Sequence, residues 1–277
     1  MTALDRRQDP RNHVLRNLAT DRRLTAELVV DRQHPFFFDH PLDHVPGLLL
    51  LEGATQLAQS DARRPQFVGS VTARFEKYAL FNETIDLSAD RTEASGRTRY
   101  DVALAQDGRT RAHVSVELVD FDRDFAGRCA RRAEVHPCPP GPLNKSNPEN
   151  VLISEPQVTA SSVRAHILSA SGNCLLTDSI CTVHPLFMLE CFMQVQRYLN
   201  AQHPDPGRMR DILTGVTFSQ ILPVRDSSLP MTVEGTADFM FSQNGRASRT
   251  ANIAVCGSTF AHCSILTART GMRRKSA

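Results

Sequence analysis

The chain repeats itself, and that restricts what it can fold into. Val45, Leu48, Leu51, Glu52 and Gln56 recur at the same spacing as Val183, Leu186, Leu189, Glu190 and Gln194. Further on, Val71-Thr72 returns as Val216-Thr217. Ala105, Gly108, Thr110, Ala112, His113 and Ser115 then return as Ala254, Gly257, Thr259, Ala261, His262 and Ser264. The offset grows along the chain, as loop insertions would make it grow. Such self-similarity implies two copies of one unit of about 120 residues, an ordinary domain size. Between them, 129–150 clusters Pro, Gly and Asn without an apolar period and reads as a linker. The expected layout is one unit over 1–128, the linker 129–150, and a second unit over 151–277.

Within each copy the elements follow one order. Leu24, Ala26, Leu28 and Val30 alternate as a half-buried strand does. A helix follows, and in copy two, "LFMLECFMQVQRYLNAQ" (186–202), it is apolar nearly all round its first turns. Such a helix is enclosed rather than laid on a surface. Its few polar residues include Glu190, Gln194 and Arg197, a stripe at i, i+4 and i+7. Copy one repeats the stripe as Glu52, Gln56 and Gln59. Strands come next. Asp107-Gly108 is a hairpin turn signal, because the turn needs positive φ at both central residues; Asn244-Gly245 and Cys256-Gly257 are its partners in copy two. After the first turn, Ala112, Val114, Val116 and Leu118 alternate and give one buried face. A buried helix wrapped by an antiparallel sheet predicts an α+β chain, a tandem (double) hotdog whose two sheets join as a pseudo-dimer.

A buried carboxylate needs a reason, since burying it unpaired costs several kcal/mol. One reason is structural: Glu52 and Glu190 hydrogen-bond backbone or the facing Gln and pin the helix. The other is chemical: a carboxylate of raised pKa acts as acid, base or substrate anchor. The surroundings of Glu52 favour chemistry. Pro46-Gly47 suits a helix start, and the first amides, at Gly47 and Leu48, are free for a carbonyl oxygen. His34, His40 and His44, with Asp39 and Asp43, crowd the loop before it. A histidine, a buried carboxylate and a helix N-terminus are the parts needed to polarise a thioester and move a proton. No metal is expected there, because Pro41 and Pro46 stop His40 and His44 from forming a helical i, i+4 pair. His113 and His262 read as ordinary strand residues.

The remaining composition mainly excludes. A formal net charge of +2 and no helix-turn-helix pattern argue against a nucleic-acid partner. No segment reaches the roughly 18–20 apolar residues of a membrane span. No signal-peptide core is visible, so a cytoplasmic location is expected. Seven cysteines contain no C-x-x-C pair and read as reduced, buried hydrophobes.

The residues resemble a known family. "HPFFFDHPLDHVPGLLLLEGATQ" (34–56) is similar to the signature of the A-factor biosynthesis hotdog family, the γ-butyrolactone autoregulator synthases. "ARFEKYALF" (73–81) is similar to that family's strand after the helix, with Arg74, Phe75, Lys77, Tyr78 and Phe81 in matching places. "NPENVLISEP" (147–156) resembles the opening of a family repeat. The resemblance implies an acyltransferase that joins a β-ketoacyl chain from an acyl carrier protein to dihydroxyacetone phosphate, on the way to a signalling lactone of secondary metabolism. It implies no cofactor. On this reading Glu52, His44, His34 and His40 are catalytic, and Gly47, Leu48, Gln56, Arg74, Lys77, Glu190, Gln194 and Arg197 bind substrate. The motif half, which usually lies second in the family, lies first here. Where the family's helix reads Glu-x-x-Arg-Gln, this chain has Thr55 and Met193 at the arginine position. The stretch also resembles, more distantly, β-hydroxyacyl-ACP dehydratases, with His40 as the loop histidine. A dehydratase or thioesterase is therefore the alternative enzyme, and a non-catalytic acyl or lactone binding module the alternative to an enzyme.

Overall fold

The computed structural model describes residues 3–20, 23–122, 134–169, 172–179, 182–202, 209–225, 228–236, 240–241 and 246–271. In the first half, β1 (Leu15–Ala19) and β2 (Leu24–Leu28) precede α1 (Gly47–Ser60). Then come β3 (Gln66–Phe75), β4 (Asp86–Ala94), β5 (Arg97–Gln106) and β6 (Arg109–Asp120). In the second half, β7 (Gln157–Val158) and β8 (Ser162–Ile167) precede α2 (Pro185–Gln202). After it run β9 (Met209–Gln220), β10 (Met231–Thr236), β11 (Met240–Phe241), β12 (Arg246–Val255) and β13 (Ser258–Gly271). All these strands join one antiparallel sheet, in the order β1-β2-β4-β5-β6-β3-β9-β13-β12-β10-β8-β7, with β11 beside β12.

That order is the same read outward from its middle. β3, β6, β5, β4 and β2 run one way; β9, β13, β12, β10 and β8 run the other. At the junction Thr72 pairs with Thr217, flanked by Val71 with Phe218 and Ala73 with Val216. The recurring Val-Thr dipeptides therefore meet across an approximate two-fold axis.

Local chemistry explains the elements. In β2, Leu24, Ala26 and Leu28 are buried and the residues between them are half-buried. Ala112, Val114, Val116 and Leu118 of β6 are buried, as their alternation predicts. Asp107 and Gly108 have φ of 49° and 67°, and Cys256 and Gly257 have 52° and 80°, so both hairpins turn through left-handed pairs. The Asn244-Gly245 turn lies outside the described residues. Helix α1 packs on β1 to β6, and α2 on β8 and on a 3-10 turn at Gly141–Leu143. Phe187, Leu189, Phe192 and Val195 of α2 are fully buried, as its all-round apolar character requires. No helix among the described residues is long and apolar enough to cross a membrane.

Two expectations change. The part of 129–150 that is described, from 134 on, does more than link. It makes 3-10 turns at Gly141–Leu143 and Pro148–Asn150 and buries Cys138, Leu143, Lys145 and Asn150. The Pro, Gly and Asn that hide its apolar pattern are the residues these tight turns use; Asn144 sits at φ 52°. Not all the cysteines are reduced: Cys138, Cys174, Cys191 and Cys263 are free, but Cys256, at a hairpin tip rather than in the core, is disulfide-bonded.

Candidate active site

The polar stripe of each helix first anchors backbone. Gln56 Nε2 donates to the Asn12 carbonyl at 2.8 Å and to Glu52 Oε1 at 2.7 Å, while its Oε1 accepts from the Val14 amide. Gln194 does the same with the Asn150 carbonyl, Glu190 Oε1 and the Leu152 amide. Both glutamines are thus committed to pinning the chain that enters each half, and neither is left for substrate. Asn12 and Asn150 end 3-10 turns, Pro10–Asn12 and Pro148–Asn150, at the spacing that separates Glu52 from Glu190.

The same spacing sets a cation on each buried acid. Arg7 grips Glu52 with two hydrogen bonds, Nε to Oε1 at 2.7 Å and a terminal nitrogen to Oε2 at 3.1 Å. Its other terminal nitrogen donates to the Leu175 carbonyl. On Glu190, Lys145 Nζ and Arg197 both reach Oε1 at 2.9 Å. Burial alone would raise both carboxyls. The Arg7 charge, His184 and the hydrogen bonds from Arg7 and Gln56 instead hold Glu52 at about 2. Lys145, Arg197 and Gln194 likewise hold Glu190 at about 2. The expected raised carboxyl pKa is therefore corrected: both are ionised, because each is paired as well as buried.

The loops before the helices then cross over. Asp39, in the first-half loop, accepts the Ser146 and Asn147 amides and lies 3.6 Å from Lys145 Nζ. Asp178, in the second-half loop, accepts the Gln8 and Asp9 amides and an Asn12 side-chain hydrogen bond. His184 Nε2 lies 3.8 Å from Glu52, and burial and Arg7 push its pKa down to about 3. Each helix acid is thus served by the loop of the opposite half.

The Glu190 side opens towards the start of α1. A cavity of about 140 Å³ is lined by Asp39, His40, Lys145, Met193 and Arg197, with Pro46, Gly47 and Leu48 at the start of that helix. Pro46 supplies no side-chain cap there. A second cavity of about 490 Å³ shares His44, Gly47 and Leu213 with the first. It continues along Val45, Leu50, Phe75 and Ala79, an apolar trough with Lys77 and Tyr78 on its wall. A third, of about 140 Å³, reaches Arg7 and Gln56 but not Glu52 or the start of either helix. His40 Nδ1 is buried without a hydrogen-bond partner. Burial first, then Arg197 and Lys145, lower its pKa, so His40 is a neutral base at the cavity wall.

The expected site residues divide accordingly. His40, Gly47, Leu48 and Arg197 line the small cavity at α1; His44 lines that cavity and the trough, its ring tilted against Tyr78 and bonded through Nδ1 to Asp43 at 2.6 Å; Lys77 lines the trough. Glu190 sits behind Lys145 and Arg197. Glu52 lines none of the three cavities, sealed by Arg7. His34 is buried in a turn: its Nδ1 accepts the Phe36 and Phe37 amides and its Nε2 faces Asn12. Asn173 makes the equivalent bonds in the second half, which marks the role as structural. Arg74 is exposed and pairs with Glu76. Among the described residues, no three His, Cys, Asp or Glu gather to hold a metal. Sequence reasoning missed Arg7, Asp39 as a clamp, Lys145 and His184. The repeat of "DPRN" (9–12) as "NPEN" (147–150) would have aligned Arg7 with Lys145.

Comparison with known proteins shows what part of the chain is similar to. A family model for the A-factor biosynthesis hotdog domain matches 6–121. Residues 6–121 are thus similar to that family's domain, over less than half of the chain. The chain is similar to curated proteins called 2-oxo-3-(phosphooxy)propyl 3-oxoalkanoate synthase. The Streptomyces virginiae protein is 42% identical over 95 residues, 33% of this chain and 32% of that protein. The Streptomyces coelicolor protein is 40% identical over 93 residues, 32% and 30% of the two chains. The match thus spans about a third of the length of these relatives. Among solved structures, a tesB protein of Mycobacterium avium subsp. paratuberculosis superposes with TM-score 0.60 at 12% identity, over 92% of this chain and 96% of that one. The dehydratase domain from the CurJ module of curacin polyketide synthase gives TM-score 0.58 at 12% identity, over 93% and 95%. The chain therefore has the hotdog fold.

Proposed function

We propose that the chain is two fused hotdog units, 1–128 and 151–277, with one working site between them, and that it is an acyltransferase. It moves a 3-oxoacyl group from an acyl carrier protein to a hydroxyl of dihydroxyacetone phosphate. The product named for its curated relatives, a 2-oxo-3-(phosphooxy)propyl 3-oxoalkanoate, is the ester of those two parts. The observation that carries the reading is the unpartnered, neutral His40 in one cavity with Lys145, Arg197 and the first turn of α1.

The chemistry follows from that placement. The acceptor hydroxyl gives its proton to His40 as its oxygen attacks the thioester carbonyl carbon. Charge on the carbonyl oxygen is met by the amides at Gly47 and Leu48. The C–S bond then breaks, and the leaving thiolate takes the proton from His40. Lys145 and Arg197 would hold anionic oxygens of the acceptor, in place of the arginine absent at Met193. The trough along Leu50 and Phe75 suits the acyl chain. The dehydratase alternative needs an acid to protonate a leaving hydroxyl, and Glu190, held ionised, is a poor donor.

Incubation with a 3-oxoacyl carrier protein and dihydroxyacetone phosphate, followed by mass spectrometry, tests the proposal. The ester is expected. Free 3-oxo acid formed regardless of acceptor, or dehydration of a 3-hydroxyacyl thioester in its place, overturns it.

A further inference from the structure

We propose that Asp39 is a positioning residue: it fixes Lys145 in the cavity by gripping the backbone just after it. Its Oδ1 accepts both the Ser146 amide at 3.1 Å and the Asn147 amide at 2.7 Å. Lys145 Nζ is thereby held 2.9 Å from Glu190, 3.6 Å from Asp39 Oδ2 and 5.8 Å from the Phe36 ring centre. Lys145 needs such a grip. It lies between Asn144, at φ 52°, and the 3-10 turn at Pro148, with no regular ladder to fix it. Bonds from two amides to one carboxylate oxygen are charge-assisted and directional. His40 follows Asp39 directly in sequence, so one peptide unit ties the base to the segment that carries the cation.

The opposite half supplies the control. Asp178 grips the Gln8 and Asp9 amides, just after Arg7, in the same way. Arg7 grips Glu52 with two hydrogen bonds, and the cavity that Arg7 lines does not reach the start of either helix. The two aspartates share a structural job, and Asp39 lines the small cavity at the start of α1.

The kinetic arm of the test rests on the acyl-transfer reading; a second arm does not. In lysine-labelled protein, the ammonium signal of buried Lys145 reports its pairing by NMR. Asp39→Ala should speed its proton exchange at least about tenfold, lower kcat about 100-fold, the scale expected for a misplaced group, and raise the KM for the acceptor that Lys145 holds. Asp39→Asn keeps an oxygen for the two amides and should recover most of each. Asp178→Ala should lower stability while leaving the Lys145 signal and kcat at their original values. Asp39→Glu keeps the charge but moves the oxygens by one methylene, and covers the case in which Asp39→Ala does not fold; it too should lose kcat. An unchanged Lys145 signal in Asp39→Ala or Asp39→Glu overturns the proposal, as does an equal loss of kcat in the Asp39→Ala and Asp178→Ala proteins. If the unaltered protein transfers no acyl group, the acyl-transfer reading falls and the ammonium signal alone decides the role of Asp39.

Discussion

Glu52 and Glu190 occupy the same place on the two helices, yet their surroundings have parted. Glu52 meets one arginine in a two-point grip, and His184 closes the remaining side. Glu190 meets a lysine and an arginine about two turns further along its helix, both on one oxygen, and its Oε2 has no hydrogen-bond partner. An arginine fork saturates a carboxylate and fills the space in front of it. A lysine is a point charge on a flexible stem and leaves room beside it. The substitution of one cation for another thus goes with a closed acid on one side and, on the other, a cluster whose cavity reaches the start of α1. The loop residue next to the clamp differs as well: His40 on the open side, Ser179 on the closed one.

That contrast breaks most sharply at His40. His40→Ala should lower acyl transfer by roughly 10²–10⁴-fold, the usual contribution of a general base. Ser179→Ala should leave the rate alone. Thermal melts should hardly move for His40→Ala, since its Nδ1 makes no hydrogen bond. Equal rates in the two variants would remove the asymmetry.

The next effect falls on stability. Arg7→Met leaves Glu52 buried and unpaired and should cost about 3–5 kcal/mol in urea unfolding. Adding Glu52→Leu should restore most of it, because an apolar pair can replace a buried ion pair. Turnover per folded molecule should stay the same throughout. A drop in turnover would return Glu52 to the catalytic set.

The smallest effect is on pH dependence. His40 has its pKa lowered from 6.5, first by burial and then by Arg197 and Lys145. It therefore stays a base as pH falls through 6.5, and the acid limb of kcat/KM should lie below that value. Arg197→Met removes one lowering cause, so the limb should move to higher pH; a limb that stays or moves down would separate Arg197 from His40. The closed cluster responds in stability instead. His184, near 3 in the fold, and Glu52, near 2, have ordinary values of 6.5 and 4.5. The unfolded chain takes up both protons first, so stability should be full above pH 6.5 and fall as pH drops towards 3 and below.

Much of this architecture is legible in the sequence alone. Period-two and period-3.6 patterns give the strands and helices directly, and the repeat of Val-Thr marks where the half-sheets meet. The acids are visible as misfits in apolar runs. Their partners are not. Arg7 lies in an arginine-rich stretch that looks like ordinary solvated charge, and Lys145 lies among prolines and asparagines that suggest a linker. His34 looks chemical because histidine is versatile, but its ring caps a turn and faces Asn12, a job Asn173 does as well with Asn150. Pairing an acid with a cation 45 residues earlier depends on tertiary placement, which local spacing does not encode.

The exchange of loops between halves carries one more consequence. Separating the two halves would strip Lys145 of Asp39 and Glu52 of His184, and would bare the edges of β3 and β9 to water. Neither half can open alone without leaving polar groups unmatched in both. The chain should therefore melt as a single cooperative unit, with both helices losing structure at one temperature, although its sequence reads as two domains.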